Sequence, residues 1–177
     1  DCLLSRGLGD VYKRQAFNTS MVTRSLATAA SFVLIGIGAV LAFLWARGKR
    51  HWISAAVMSL VPAGLVVSSV GIPLAATKLY LDGIQVDQGF RTQFLSRMAE
   101  NLGHADMAYK DLPTFYPMGW FWLGGRLANV LGMQGWEVYQ PFAIASLAAA
   151  AAMLTPVWRR LTGSLPTALA IATGTTC

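Results

Sequence analysis

Residues Leu26–Trp45 read LATAASFVLIGIGAVLAFLW, twenty consecutive residues without a charge. A helix rises about 1.5 Å per residue, so this run covers about 30 Å, the hydrocarbon thickness of a bilayer. Arg47, Lys49, Arg50 and His51 follow at once. A second apolar run, Trp52–Ala76, contains Pro62 and Pro73. Proline is tolerated in membrane helices, so the expectation is a kink near Pro62 rather than a break. A third run, Pro141–Trp158, holds the alanine tract Ala148–Ala152 and ends at Arg159 and Arg160. A fourth begins near Leu165 and is expected to be truncated.

The fold class that follows is all-α: a polytopic transmembrane helical bundle. Its full spans are expected at about 26–45, 52–76 and 141–158, with a partial one at 165–177. Between the second and third spans lies a polar island, 77–137, read as an external loop containing short interfacial helices. Composition agrees. Of the 177 residues 55% are hydrophobic and only 12% charged, against about 25% charged in a soluble domain. Mean hydropathy is +0.49. The net charge of +6 comes from short clusters at the ends of apolar runs. That placement suits control of topology, not a nucleic-acid face. The lipid bilayer is therefore the expected partner, and no nucleic acid is.

Both termini look unlike the rest. Asp1–Gln15, DCLLSRGLGDVYKRQ, lacks periodicity and resembles translated adapter DNA, so residues 1–15 are read as a non-native leader and 16–177 as a membrane-module fragment. Cys2 and Cys177 stand at the extreme ends and suggest neither a disulfide framework nor a metal site. The positive-inside rule puts Arg47–His51 and Arg159–Arg160 in the cytoplasm. Two spans separate these clusters, so the parity is consistent and the island faces outward from a plasma membrane. The segment Pro117–Leu131, PMGWFWLGGRLANVL, is too short for a comfortable span. It reads as a helix lying in the interface or a re-entrant element, with Trp120 and Trp122 at headgroup level and Arg126 reaching water.

The chemistry-bearing residues gather in the island. Asp87, in GIQVDQGFR, is a candidate general base for transfer to a sugar hydroxyl. The plainer alternative is a helix-start carboxylate paired with Arg91 four residues on. Asp82 is a second acidic candidate, although Leu81-Asp82-Gly83 also reads as a turn. Lys78, Arg91 and Arg126 are candidate ligands for a lipid-linked phosphate, with headgroup anchoring as the alternative. Gln88, Tyr116, Trp120 and Trp122 are candidate sugar or lipid contacts, with an interfacial aromatic belt as the alternative. His104, Asp106 and Asp111 read as a solvated loop more readily than as metal ligands. No cofactor is indicated and no metal. Phosphate-binding glycine motifs, a nucleophile elbow and paired cysteines are all missing from the sequence.

Three stretches, GIPLAATKLYLDGIQVDQGFRTQFLSRMAE, LPTFYPMGWFWLGGRLANVLG and GWEVYQPFAI, closely resemble the N-terminal membrane module of the AftA-type galactan arabinofuranosyltransferases. The likeness runs from about Gly71 to Trp158. These are multi-helix, GT-C-like enzymes of the mycobacterial and corynebacterial cell envelope. The resemblance implies transfer of arabinofuranose from decaprenylphosphoryl arabinose to the galactan acceptor of arabinogalactan. It also implies that the essential acid of an early external loop is Asp87, with Asp82 behind it. A β-linked donor and an α-linked product imply a single displacement with one base, while Lys78, Arg91 or Arg126 holds the departing phosphate. A fragment of this length is expected to be inactive alone. A transporter or lipid flippase is the alternative reading, weakened by the lack of charge in the middle of the spans. A non-catalytic scaffold is a third.

Overall fold

The computed structural model describes residues 21–48, 51–75, 79, 85–103, 106–109 and 111–176. Every described element is helical. The order is α1 (Met21–Ala46), α2 (His51–Val66), α3 (Val86–Glu100), α4 (Gly119–Leu131), α5 (Gly135–Thr162) and α6 (Leu165–Thr176). The described residues fall into two compact units, one within Thr77–Ala143 and the other within Ala16–Ala76 and Ile144–Cys177.

The second unit contains two membrane-length helices and most of a third. Met21–Ala46, Trp52–Leu74 and Gly135–Thr162 are each long and apolar enough to cross a bilayer, with mean hydropathies of 2.3, 2.0 and 1.6. The described residues are thus all-α, with helices of membrane-spanning length. Phe32, Val33, Val40 and Phe43 on α1 are exposed, as lipid-facing side chains must be. Met58, Val61 and Leu65 of α2 bury against Leu165 and Leu169 of α6, with Leu34 and Leu41 of α1 packed alongside. Small residues allow the close approach: a methyl added at Gly64 would lie 3.1 Å from Leu34. The Ser31 and Ser68 hydroxyls bond each other at 3.1 Å. Such interhelical bonds in lipid contribute about 0.6–2 kcal/mol.

The irregularity of the second span does not fall at Pro62. Residues Val67–Gly71 form a π-helical turn, with the Ile72 N–H donating to the Val67 carbonyl, and Ile72–Leu74 continue the helix beyond it. The Ser68 and Ser69 hydroxyls both donate to the Leu65 carbonyl, at 3.1 and 2.7 Å. Pro73 lacks the N–H that would extend a regular ladder. A serine pair feeding the backbone just ahead of a proline thus sets the break in geometry.

The first unit holds the polar island. Leu79, Phe94, Leu95, Met98, Phe121 and Tyr139 form its buried core. α3 buries one side: Phe94, Leu95 and Met98 are buried, while Asp87, Arg91, Gln93 and Glu100 are exposed. α4 has 13 residues, about 20 Å of helix, too little to span. It ends at Gly132, whose φ of +65° is the left-handed cap that glycine supplies without strain. Gln134 then starts α5, its N–H bonded by the Glu137 carboxylate at 3.2 Å, the reciprocal arm of a capping box.

Candidate functional site

Asp87 stands in the first turn of α3, two residues after the N-cap Gln85. Its carboxylate faces solvent at the end of the helix where backbone N–H groups gather, a place that favours negative charge. Arg91 follows one turn later on the same face and is also exposed. The described contacts include no ion pair between the two. Both therefore present their charge outward, where a substrate can meet them.

Gln88 has a different occupation. Its Oε1 accepts the backbone N–H of Gln85 at 3.1 Å. It belongs to the capping box that starts α3. Thr92 tightens the same turn, its hydroxyl donating to the Gln88 carbonyl at 2.8 Å.

An aromatic wall adjoins these residues. Phe90, three positions from Asp87, meets Tyr116 edge-on with centroids 5.2 Å apart and stacks on Phe94 at 5.9 Å. Phe94 in turn meets Phe121 at 4.8 Å. Trp120 lies 5.1 Å from Phe121 and 4.9 Å from Phe142. Tyr116 is 42% exposed and Phe115 91% exposed, so the wall has an open side. The loop that delivers Tyr116 is held locally. The Tyr116 N–H donates to the Thr114 hydroxyl at 3.2 Å, and Asp106 accepts the N–H groups of Ala108 and Tyr109 at 2.8 and 3.2 Å. That use of Asp106 closes a turn.

Arg126 is elsewhere. Its Nη2 donates to the carbonyls of Met98 and Asn101, the latter at 3.1 Å. These groups close the C-terminal end of α3, about 16 Å along the axis from Asp87. Trp122 accompanies it, with the guanidinium 5.8 Å from the indole ring. The structure thus joins Asp87, Arg91, Phe90 and Tyr116 at one end of α3 and sets Arg126 and Trp122 at the other. Lys78, Asp82 and His104 lie outside the described residues. Among the described residues no three His, Cys, Asp or Glu side chains converge as metal ligands would.

The sequence reading passed over Gly124 and Gly125. A methyl on Gly125 would lie 2.6 Å from the Met98 carbonyl carbon and 2.7 Å from the Ala99 nitrogen. Only a residue without Cβ lets α3 and α4 come so close. The signal available in sequence was a glycine pair inside an otherwise helical stretch, which costs helix stability and so asks for a packing reason.

Against known proteins the result is definite. The profile of the family described as "Arabinofuranosyltransferase N terminal" matches residues 9–177. The chain belongs to that family. Its relatives include a galactan 5-O-arabinofuranosyltransferase of Corynebacterium glutamicum, 52% identical over 92% of this chain and 27% of that protein. The enzyme of the same name from Mycolicibacterium smegmatis is 43% identical over 81% of this chain and 23% of its own length. That from Mycobacterium tuberculosis is 43% identical over 72% and 19%. The chain therefore spans about a quarter or less of the curated relatives it matches, within the N-terminal module of this arabinofuranosyltransferase family.

Proposed function

We propose that the full-length protein is a plasma-membrane glycosyltransferase of GT-C type. It moves arabinofuranose from decaprenylphosphoryl arabinose to galactan, on the extracytoplasmic face, in arabinogalactan assembly. The family membership and the names of three relatives support the reaction class. The observation that carries the site is the exposed pair Asp87 and Arg91 on the first turns of α3, beside the Phe90–Tyr116 wall.

The chemistry follows from the types of residue. The acceptor hydroxyl oxygen attacks the anomeric carbon as the bond to phosphate breaks. Asp87 takes the hydroxyl proton, which general base catalysis makes worth about 10²–10⁴-fold in rate. The departing polyprenyl phosphate gains negative charge, and Arg91 holds it bidentately, with Lys78 as a second cation. Tyr116 offers a face on which a sugar ring stacks. Arg126 stays outside this phosphate set because it serves the far end of α3. Asp82 remains the reserve acid.

The test is Asp87→Asn in the full-length protein, assayed in membranes with labelled decaprenylphosphoryl arabinose and a galactan acceptor. Transfer is expected to fall at least 100-fold while the protein remains inserted at its normal level. Near-normal transfer removes Asp87 from the mechanism.

A further inference from the structure

Side chains of α4 reach the last turn of α3. Four terminal carbonyls of a helix lack partners within it. Here α4 supplies partners to two of them, Met98 and Ala99, and to the C-cap Asn101. Arg126 Nη2 reaches the carbonyls of Met98 and Asn101, and Asn129 Nδ2 donates to the Ala99 carbonyl at 2.8 Å. Arginine near a helix C-terminus also meets the negative end of the macrodipole. Gly125 immediately precedes Arg126 in sequence, and its backbone presses on Met98 and Ala99. Gly135, at the head of α5, does the same on the other side: a methyl there would lie 2.5 Å from the Ser96 Cα. The C-terminal half of α3 is thereby fixed by two backbone approaches and three side-chain bonds. Its N-terminal turn, with Asp87, carries the capping box, and Phe90 in the next turn meets Tyr116 edge-on.

We infer that Arg126 is a positioning residue: by gripping the end of α3 it sets the pose of the helix that presents Asp87. This rests on the reading of Asp87 as the base. It assigns Arg126 a task that its charge alone does not suggest, since a cation in this island otherwise reads as a phosphate ligand. The two roles separate kinetically. A phosphate ligand acts on donor binding, whereas a clamp acts on the geometry of proton removal, for which small misplacements are costly.

The experiment uses the full-length protein in nanodiscs with spin labels at Val86→Cys and Val130→Cys, whose native side chains are 89% and 83% exposed. The label-to-label distance distribution is measured in the parent, Arg126→Gln, Arg126→Lys and Asn129→Ala, and arabinosyl transfer is measured on unlabelled counterparts. The inference expects a broadened distribution in Arg126→Gln, at least a tenfold fall in kcat, and donor KM changed less than twofold. Arg126→Lys restores part of both readouts, and Asn129→Ala shows a smaller version of each. A tenfold rise in donor KM with kcat and the distance distribution unchanged overturns it and makes Arg126 a donor ligand. Broadening without loss of kcat also overturns it, because α3 then moves without consequence. If Asp87→Asn transfers normally while Arg126→Gln still broadens the distribution and lowers kcat, the clamp stands and the base assignment alone fails.

Discussion

Gly125 of α4 and Met98 of α3 approach so closely that a methyl on the glycine would sit 2.6 Å from the methionine carbonyl carbon. Backbone cannot yield as a side chain can. Gly125→Ala therefore forces the helices apart, at about 1–3 kcal/mol for overpacking, and loosens the bonds of Arg126 and Asn129. At Gly124 the obstructing atoms are Leu95 Cδ1 at 2.7 Å and Phe142 Cδ1 at 2.9 Å, both ends of side chains. Thermal unfolding of the detergent-solubilised full-length protein should show Gly125→Ala clearly destabilised and Gly124→Ala less so. The reverse order would mean that the two helices do not meet through Gly125.

Gln88 separates a structural duty from a substrate contact. Gln88→Ala removes the acceptor for the Gln85 N–H and should cost about 0.5–1 kcal/mol at the start of α3. Gln88→Glu keeps an acceptor at the same place and suits the positive end of the helix. Stability should thus be retained in the glutamate variant, and transfer with it. A stable Gln88→Glu protein that has lost transfer would show that the side chain touches sugar as well.

α4 carries apolar residues on two sides. Phe121 and Ala128 are buried towards α3, while Leu123, Leu127, Val130 and Leu131 are exposed. A helix too short to span, with a greasy outer stripe, belongs in the headgroup region. An environment-sensitive fluorophore at Val130→Cys should emit to the blue in liposomes, relative to the same probe at Glu100→Cys. Equal, water-like emission from both would place α4 away from lipid.

Orientation is tested at Phe115, the open edge of the aromatic wall. Arg159 and Arg160 occupy the last turn of α5, and a cytoplasmic position for them puts Phe115 outside. Phe115→Cys should react with a membrane-impermeant maleimide in intact cells. Reaction only after the membrane is ruptured would turn the protein over.

The spans were legible in the sequence because bilayer thickness imposes a length on uncharged runs. Leu26–Trp45 and Trp52–Ala76 match α1 and the Trp52–Leu74 helix to within a few residues. A short helix within Pro117–Leu131 was readable too, and it forms over Gly119–Leu131. The position of the helical irregularity was not, since Pro62 is the obvious signal and the serine hydroxyls at Ser68 and Ser69 act through a carbonyl already in the ladder. The work of Arg126 was hidden by distance along the chain. Its acceptors lie 28 and 25 residues away, and no local pattern reports a cap supplied by another helix. Asp87 was visible as an acid near a helix start. Its exposure next to Phe90 and Tyr116 needed the fold, because the loop through Pro113 and Pro117 brings the tyrosine back over α3.

Between Leu131 and Gly135 only three residues separate α4 from the long helix α5, and Gly132 and Gln134 are both committed to caps. Such a joint has no slack. The head of a 28-residue helix is therefore tied directly to the helix whose side chains hold the α3 carbonyls.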